Sequence, residues 1–211
     1  MTATQLTAPQ AFGSFFGVVA QGRSYLNALY LLLAFPLGVA YFCFLAVGWS
    51  LGLGLILLWV GFIVLFIVLT GSWLLSAFER QQAIHLLGAD VRPMWPESMA
   101  TEESVWARVK AFLANKVTWT GMVFLLLKFP LGVASFVVAV TSLSVSVALF
   151  LAPLYYRWDP PDLYWWTVDT LPEALVCSLT GALCLILTMH VLNGIAWLWG
   201  GLSRLLLGHA W

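Results

Sequence analysis

Four long apolar stretches, each close to the length of a membrane crossing, alternate with shorter polar breaks along this chain. About 20 consecutive apolar residues carry a helix across a bilayer core. Four runs meet that requirement: about Tyr25 to Val47, Leu51 to Leu75, Thr118 to a point near residue 142, and Glu173 to Leu198. No run alternates with the period of two that marks a half-buried strand. The expected fold class is therefore an all-α integral membrane protein with four transmembrane helices. Pro36 falls in the middle of the first run and Pro130 in the third. Each lacks the N–H that would close a helical hydrogen bond, so a kink is expected at both. A turn around Gly48-Trp49-Ser50 should separate the first two crossings, with Gly52, Gly54 and Gly61 giving the second a small-residue side.

The pattern contains a repeat. Residues 30–40 read YLLLAFPLGVA and residues 124–134 read FLLLKFPLGVA, identical at nine of eleven positions at an offset of 94. Such self-similarity is the mark of internal duplication. The chain then reads as one membrane domain, residues 1–211, made of two duplicated hairpins of parallel topology with proline-kinked first helices. Repeat one covers about 24–88, a cytoplasmic connection about 79–118, and repeat two about 119–208. Thr141, Ser142, Ser144 and Ser146 align with the expected turn of the first copy, which places the end of the third helix near residue 142. Residues 143–152 are then either its tilted extension or a separate short interfacial piece.

The polar connections have patterns of their own. ERQQAIHLLG should carry the second helix out of the bilayer as far as Gly88, before Pro93 and Pro96 break the chain. A surface helix is expected from Thr101, with Glu102 and Glu103 in its first turn and Val105, Val109, Phe112 and Leu113 on one face. A short interfacial helix is expected over Ala11 to Gln21. Residues 153–172, PLYYRWDPPDLYWWTVDTLP, have no counterpart in the first copy.

Composition sharpens the membrane reading. Hydrophobic residues make up 62% and charged residues 9%, against about 25% charged in soluble domains. Mean hydropathy is +0.96. Zero formal net charge leaves no electrostatic case for nucleic acid. Cys43, Cys177 and Cys184 all lie in apolar stretches without a CxxC, which favours buried small hydrophobes over disulfides or a metal cage. Residues 1–22 lack the positively charged start of a signal peptide, so the first helix is expected to be retained.

Charge also orients the chain. Arg23, five basic residues between Glu79 and Thr118, and Arg204 fall on one side of the crossings, and Arg157 alone on the other. The positive-inside rule then places both termini in the cytoplasm and residues 153–172 outside.

Candidate chemistry is sparse. Lys128 stands well inside an apolar run, where the first copy has Ala34. It either snorkels to the cytoplasmic boundary or makes a specific polar contact with a lipid headgroup or anionic ligand. His190 and Asn193 share a face of the fourth helix, as interhelical hydrogen-bonding groups or as partners for Lys128. Pro36 with Gly38, and Pro130 with Gly132, shape the core by kinking and close packing, or open a groove that Phe35 and Phe129 would line. Tyr155, Tyr156, Arg157 and Asp159, with Trp165 and Trp166, are the candidate external site, unless they are simple interfacial anchors.

Nothing points to catalysis. GxSxG, HExxH and P-loop patterns are absent, and Glu79 and Glu173 are read as acids at membrane edges, so no spanning carboxylate is expected. No catalytic residue, metal or cofactor is assigned.

The duplicated FPLG, the glycine-rich Ser50 to Gly54, APLYYR at 152–157 and WTGMVFLLLKFPLG at 119–132 resemble the putative sensor domain family of bacteria, over about residues 24–208. The resemblance implies a four-helix membrane module of the kind that precedes histidine kinases, and it carries over no ligand or functional residue. No kinase domain follows Trp211 in this sequence, so a sensor of this kind is expected to signal through a separate cytoplasmic protein. The expected function is a sensor-like module or signalling scaffold that binds a lipid-like or amphipathic ligand, membrane lipids or a partner protein, with a homo-oligomer among its possible states. The alternatives are a small oligomeric channel or transporter, and a structural membrane subunit.

Overall fold

The computed structural model describes residues 17–94, 105–158, 161 and 167–208. After a 3-10 turn at Gly17–Ala20 come five helices: α1 Gly22–Gly54, α2 Val60–His85, α3 Val105–Ala114, α4 Lys116–Tyr155 and α5 Leu171–Leu207. Four of them, α1, α2, α4 and α5, are long and apolar enough to cross a membrane. The protein is an all-α, multi-pass membrane protein.

Several boundaries differ from those the pattern predicts, each for a local reason. Helix α1 runs through Gly48-Trp49-Ser50 as far as Gly54. The reversal instead occupies Leu55 to Trp59 and contains a 3-10 turn at Ile56–Leu58. Trp59 adopts the left-handed conformation there (φ 60°). Gly61 allows the return: a Cβ at that position would fall 2.3 Å from the Gly52 carbonyl oxygen.

Helix α2 reaches His85, so the polar ERQQAIH continues it past the apolar run as expected. It closes with left-handed Gly88 (φ 58°), while the Ala89 N–H donates to the Ala83 carbonyl at 3.0 Å. This is the bonding of a glycine-terminated helix, and it bears out the expected stop at Gly88.

Helix α4 continues unbroken through residues 143–152 to Tyr155, which decides between the two alternatives. The serines do not end it because they are satisfied inside it. Ser146 donates to the Ser142 carbonyl at 2.7 Å, and Ser135 to that of Leu131 at 2.8 Å. Asn115 caps its start by accepting the Val117 N–H at 2.9 Å. Helix α5 begins with the Glu173 carboxylate accepting the Asp169 and Thr170 N–H groups, both at 3.1 Å. The surface helix is present as α3; its expected start at Thr101 lies outside the described residues, as do the 11–16 part of the interfacial segment and Pro96.

The chain divides into two compact units, Met1–Ala28 with Val137–Gly194, and Leu29–Phe136 with Ile195–Trp211. In the first, Ser146 and Thr188 share a hydrogen bond at 3.1 Å, and the Ser178 hydroxyl donates to the Phe150 carbonyl at 2.8 Å. Gly181 lets α5 approach the α4 backbone there, since a Cβ would lie 2.3 Å from the Phe150 nitrogen. Ala152, Val168, Ala174 and Cys177 form a buried apolar cluster against which Tyr155 and Tyr156 pack.

In the second unit α1 crosses α4 through contacts that recur at the repeat offset of 94. A Cβ on Gly38 would meet the Lys128 carbonyl oxygen at 2.7 Å, and one on Gly132 would meet that of Ala34 at 2.6 Å. Phe42 stacks on Phe129 with centroids 4.8 Å apart, and Phe136 meets Phe35 at 5.0 Å. These contacts fall into two pairs related by that offset.

Candidate functional site

The second unit contains a charged cluster sealed from solvent. Lys128, on α4, is 0% exposed and ends on the carboxylate of Glu79, on α2, which is also 0% exposed. Burial of both strips away water that would otherwise solvate them, so the pair survives only if its remaining polar atoms are also satisfied. They are. The Tyr41 hydroxyl, from α1, donates to the other Glu79 oxygen at 2.8 Å, and the Lys128 ammonium donates to the Tyr30 hydroxyl at 3.3 Å. Two aromatic faces complete the enclosure, with the ammonium 4.5 Å from the Tyr30 ring centroid and 5.6 Å from that of Trp199.

Trp199, on α5, sits edge-on to both Tyr30 (6.0 Å) and Phe124 (5.9 Å), two residues equivalent in the repeat. Its indole N–H donates to the Ser135 hydroxyl at 3.0 Å. Ser135 is the repeat equivalent of Tyr41. Aligning Leu86-Leu87-Gly88 with Leu206-Leu207-Gly208 makes Trp199 the equivalent of Glu79. The Tyr41–Glu79 and Ser135–Trp199 hydrogen bonds thus join positions that these two alignments pair, one charged and one neutral.

Lys128 does not snorkel. Its partners are Glu79 and Tyr30, and the polar groups of the fourth helix are engaged elsewhere: Asn193 donates to the Ser24 hydroxyl at 2.9 Å and accepts from the Asn27 amide at 2.8 Å. His190 is half-buried on the same helix. Glu79, read from the sequence as an acid at a membrane edge, is fully buried inside a membrane-length helix. Sequence reasoning also missed Tyr30, Tyr41 and Trp199 as its neighbours. One signal was readable: Ser72, Ser76, Glu79 and Ala83 recur at helical spacing and are all buried along one face of α2.

The other candidates separate. Phe35 and Phe129 are taken up in the aromatic pairs at the α1–α4 crossing. Pro36 and Pro130 lie within unbroken helices. The Tyr155 hydroxyl donates to the Ala148 carbonyl at 2.9 Å, and Arg157 is exposed. Asp159, Trp165 and Trp166 lie outside the described residues.

The family described as Putative sensor matches residues 30–207, most of the 211-residue chain. The chain belongs to the putative sensor family. The span includes every member of the charged cluster, so Tyr30, Tyr41, Glu79, Lys128 and Trp199 are part of the sensor module itself. Neither a curated protein nor a solved structure matches it. A non-catalytic role agrees with membership of the sensor family. Among the described residues no group of three or more His, Cys, Asp and Glu side chains could hold a metal ion.

Proposed function

We propose that this sensor module detects a lipid-like or amphipathic ligand, or stress in the bilayer, and reports it to a separate signalling protein through a latch formed by Glu79 and Lys128. The observation that carries the reading is the complete burial of this ion pair between two membrane-length helices, with Tyr41 of a third closing it. An ion pair in such a place is costly to assemble and more costly to break on one side, so its presence favours two discrete packings over gradual deformation. The reciprocal Gly38 and Gly132 contacts support two duplicated hairpins of parallel topology, turning about the α1–α4 crossing and kinked at Pro36 and Pro130.

The basic flanks support a bacterial cytoplasmic membrane with both termini inside. In that orientation the 79–118 connection and the end of α5 face the partner, and residues 153–172 face outward. Tyr155, Tyr156, Arg157 and Asp159 are the proposed outer contact surface, and a homo-oligomer would double the surface offered to the partner.

The test is a distance measurement on the full chain, with its three cysteines replaced and nitroxide labels at Leu57→Cys and Gly201→Cys, in vesicles of short-chain and of long-chain phosphatidylcholine. A distribution that shifts with bilayer thickness, and no longer shifts in the Glu79→Gln, Lys128→Met double variant, is the expected result. One distribution throughout would overturn the latch. Ion flux from the same vesicles would instead favour an oligomeric channel.

A further inference from the structure

A second feature of the same unit has no part in the latch. Beside the outgoing end of α2 lies a groove of about 360 Å³ lined by Trp73, Ala77 and Phe78 of the helix and by Pro93 and Met94 of the segment that follows it. Its lining changes character along the helix. Trp73, Ala77 and Phe78 give an apolar floor, and Arg80 with Gln81 gives a polar end. The step from Trp73 to Arg80 is seven residues, or about 10 Å of helix rise.

Among the described lining residues Arg80 is the charged one. Its guanidinium is fixed rather than free to wander. Nε donates to the Arg92 carbonyl at 2.9 Å and one terminal nitrogen to the Val91 carbonyl at 2.8 Å. A guanidinium has five N–H donors, so these two bonds hold the fork in place without exhausting it. Both acceptors are neutral carbonyls, so neither bond offsets the positive charge that Arg80 brings to the groove.

We infer that this groove is a binding site for an anionic phospholipid from the adjoining leaflet, with an acyl chain against Trp73, Ala77 and Phe78 and the phosphate at Arg80. The apolar-to-cationic order along α2 is the order of the parts of a lipid entering from the membrane. Arginine suits a phosphate because its planar fork presents paired donors. The site deepens the sensor reading by naming a ligand class. It is tested without a signalling readout, so its failure leaves the latch to the label distances.

The experiment is native mass spectrometry of the full chain released from vesicles of equal parts phosphatidylglycerol and phosphatidylcholine. One basic residue near an anionic lipid surface corresponds to roughly fivefold enrichment, so phosphatidylglycerol adducts should exceed phosphatidylcholine adducts by about that factor. Arg80→Gln should bring the ratio to about one. Because that change also releases residues 91–92, Ala77→Trp serves as the second variant: it fills the floor, keeps Arg80, and should remove the retained phosphatidylglycerol. Equal retention of the two lipids by the unaltered chain overturns the proposal. So does an enrichment that survives both variants. A variant that changes subunit count and not lipid count assigns the groove to a second copy of the chain, which overturns it as well.

Discussion

Lys128 shows how little a residue's type says about its state until its partner is known. In an apolar run its four-carbon stem reaches the boundary or finds an anion, and both outcomes satisfy the same sequence. The structure selects the anion, Glu79, and closes the pair with Tyr41 and Tyr30. A sharp asymmetry in mutant stability follows. Lys128→Met alone strands a buried carboxylate, and the loss expected is about 3–5 kcal/mol. Adding Glu79→Gln removes the stranded charge and should restore most of it. Unfolding of the full chain in mixed micelles, run as a double-mutant cycle, reads the difference directly. A double variant as unstable as the single one would mean that the pair is not what holds these helices. Glu79 itself was hard to read because it lies in ERQQ, a polar string expected to continue the helix out of the bilayer. Local polarity made the continuation legible but says nothing of a face that stays covered along it.

Among the elements, length and pairing differ in legibility. Four crossings were readable because span-length apolar runs have few other uses. Their ends were not. Ser142 and Ser146 look like a break, yet such hydroxyls bond carbonyls within their own helix and leave it intact. The glycines at 48–54 suggest a turn, but Gly48 and Gly52 instead admit the α2 side chains of Val68 and Leu65. The repeat was the more reliable guide, because it located Gly38 and Gly132 together. Both face a backbone carbonyl at distances a Cβ cannot share. Gly38→Ala and Gly132→Ala should therefore each cost about 1–3 kcal/mol, the range for forcing an added carbon into a packed interface. Gly54 and Gly201 have nothing within 4 Å of an added Cβ, and alanine there should be neutral or stabilising by up to about 1 kcal/mol. Thermal unfolding of the four variants side by side tests this. Similar losses at all four positions would count against the close crossing.

At the scale of the whole molecule, helix length and charge bear on the same question. Helix α4 has 40 residues and α5 has 37, about 60 and 55 Å at the helical rise, against a hydrocarbon core of about 30 Å. Both must tilt, protrude or do both, so span length alone does not say which ends emerge where. The proposed direction rests on charge. Lys116 opens α4 and Arg204 falls in the last turn of α5, on the side the basic residues mark as cytoplasmic, whereas Arg157 follows the other end of α4. Arg92 and Trp158 bracket α4 and are both exposed, which makes them useful reporters. In a chain whose own cysteines are replaced, Trp158→Cys should react with a membrane-impermeant maleimide added to intact cells, and Arg92→Cys only after permeabilisation. The reverse pattern would invert the module and put the Arg80 groove in the outer leaflet. Labelling of both residues in intact cells would mean that α4 does not cross, and the proposed latch would then lose its place between membrane-spanning helices.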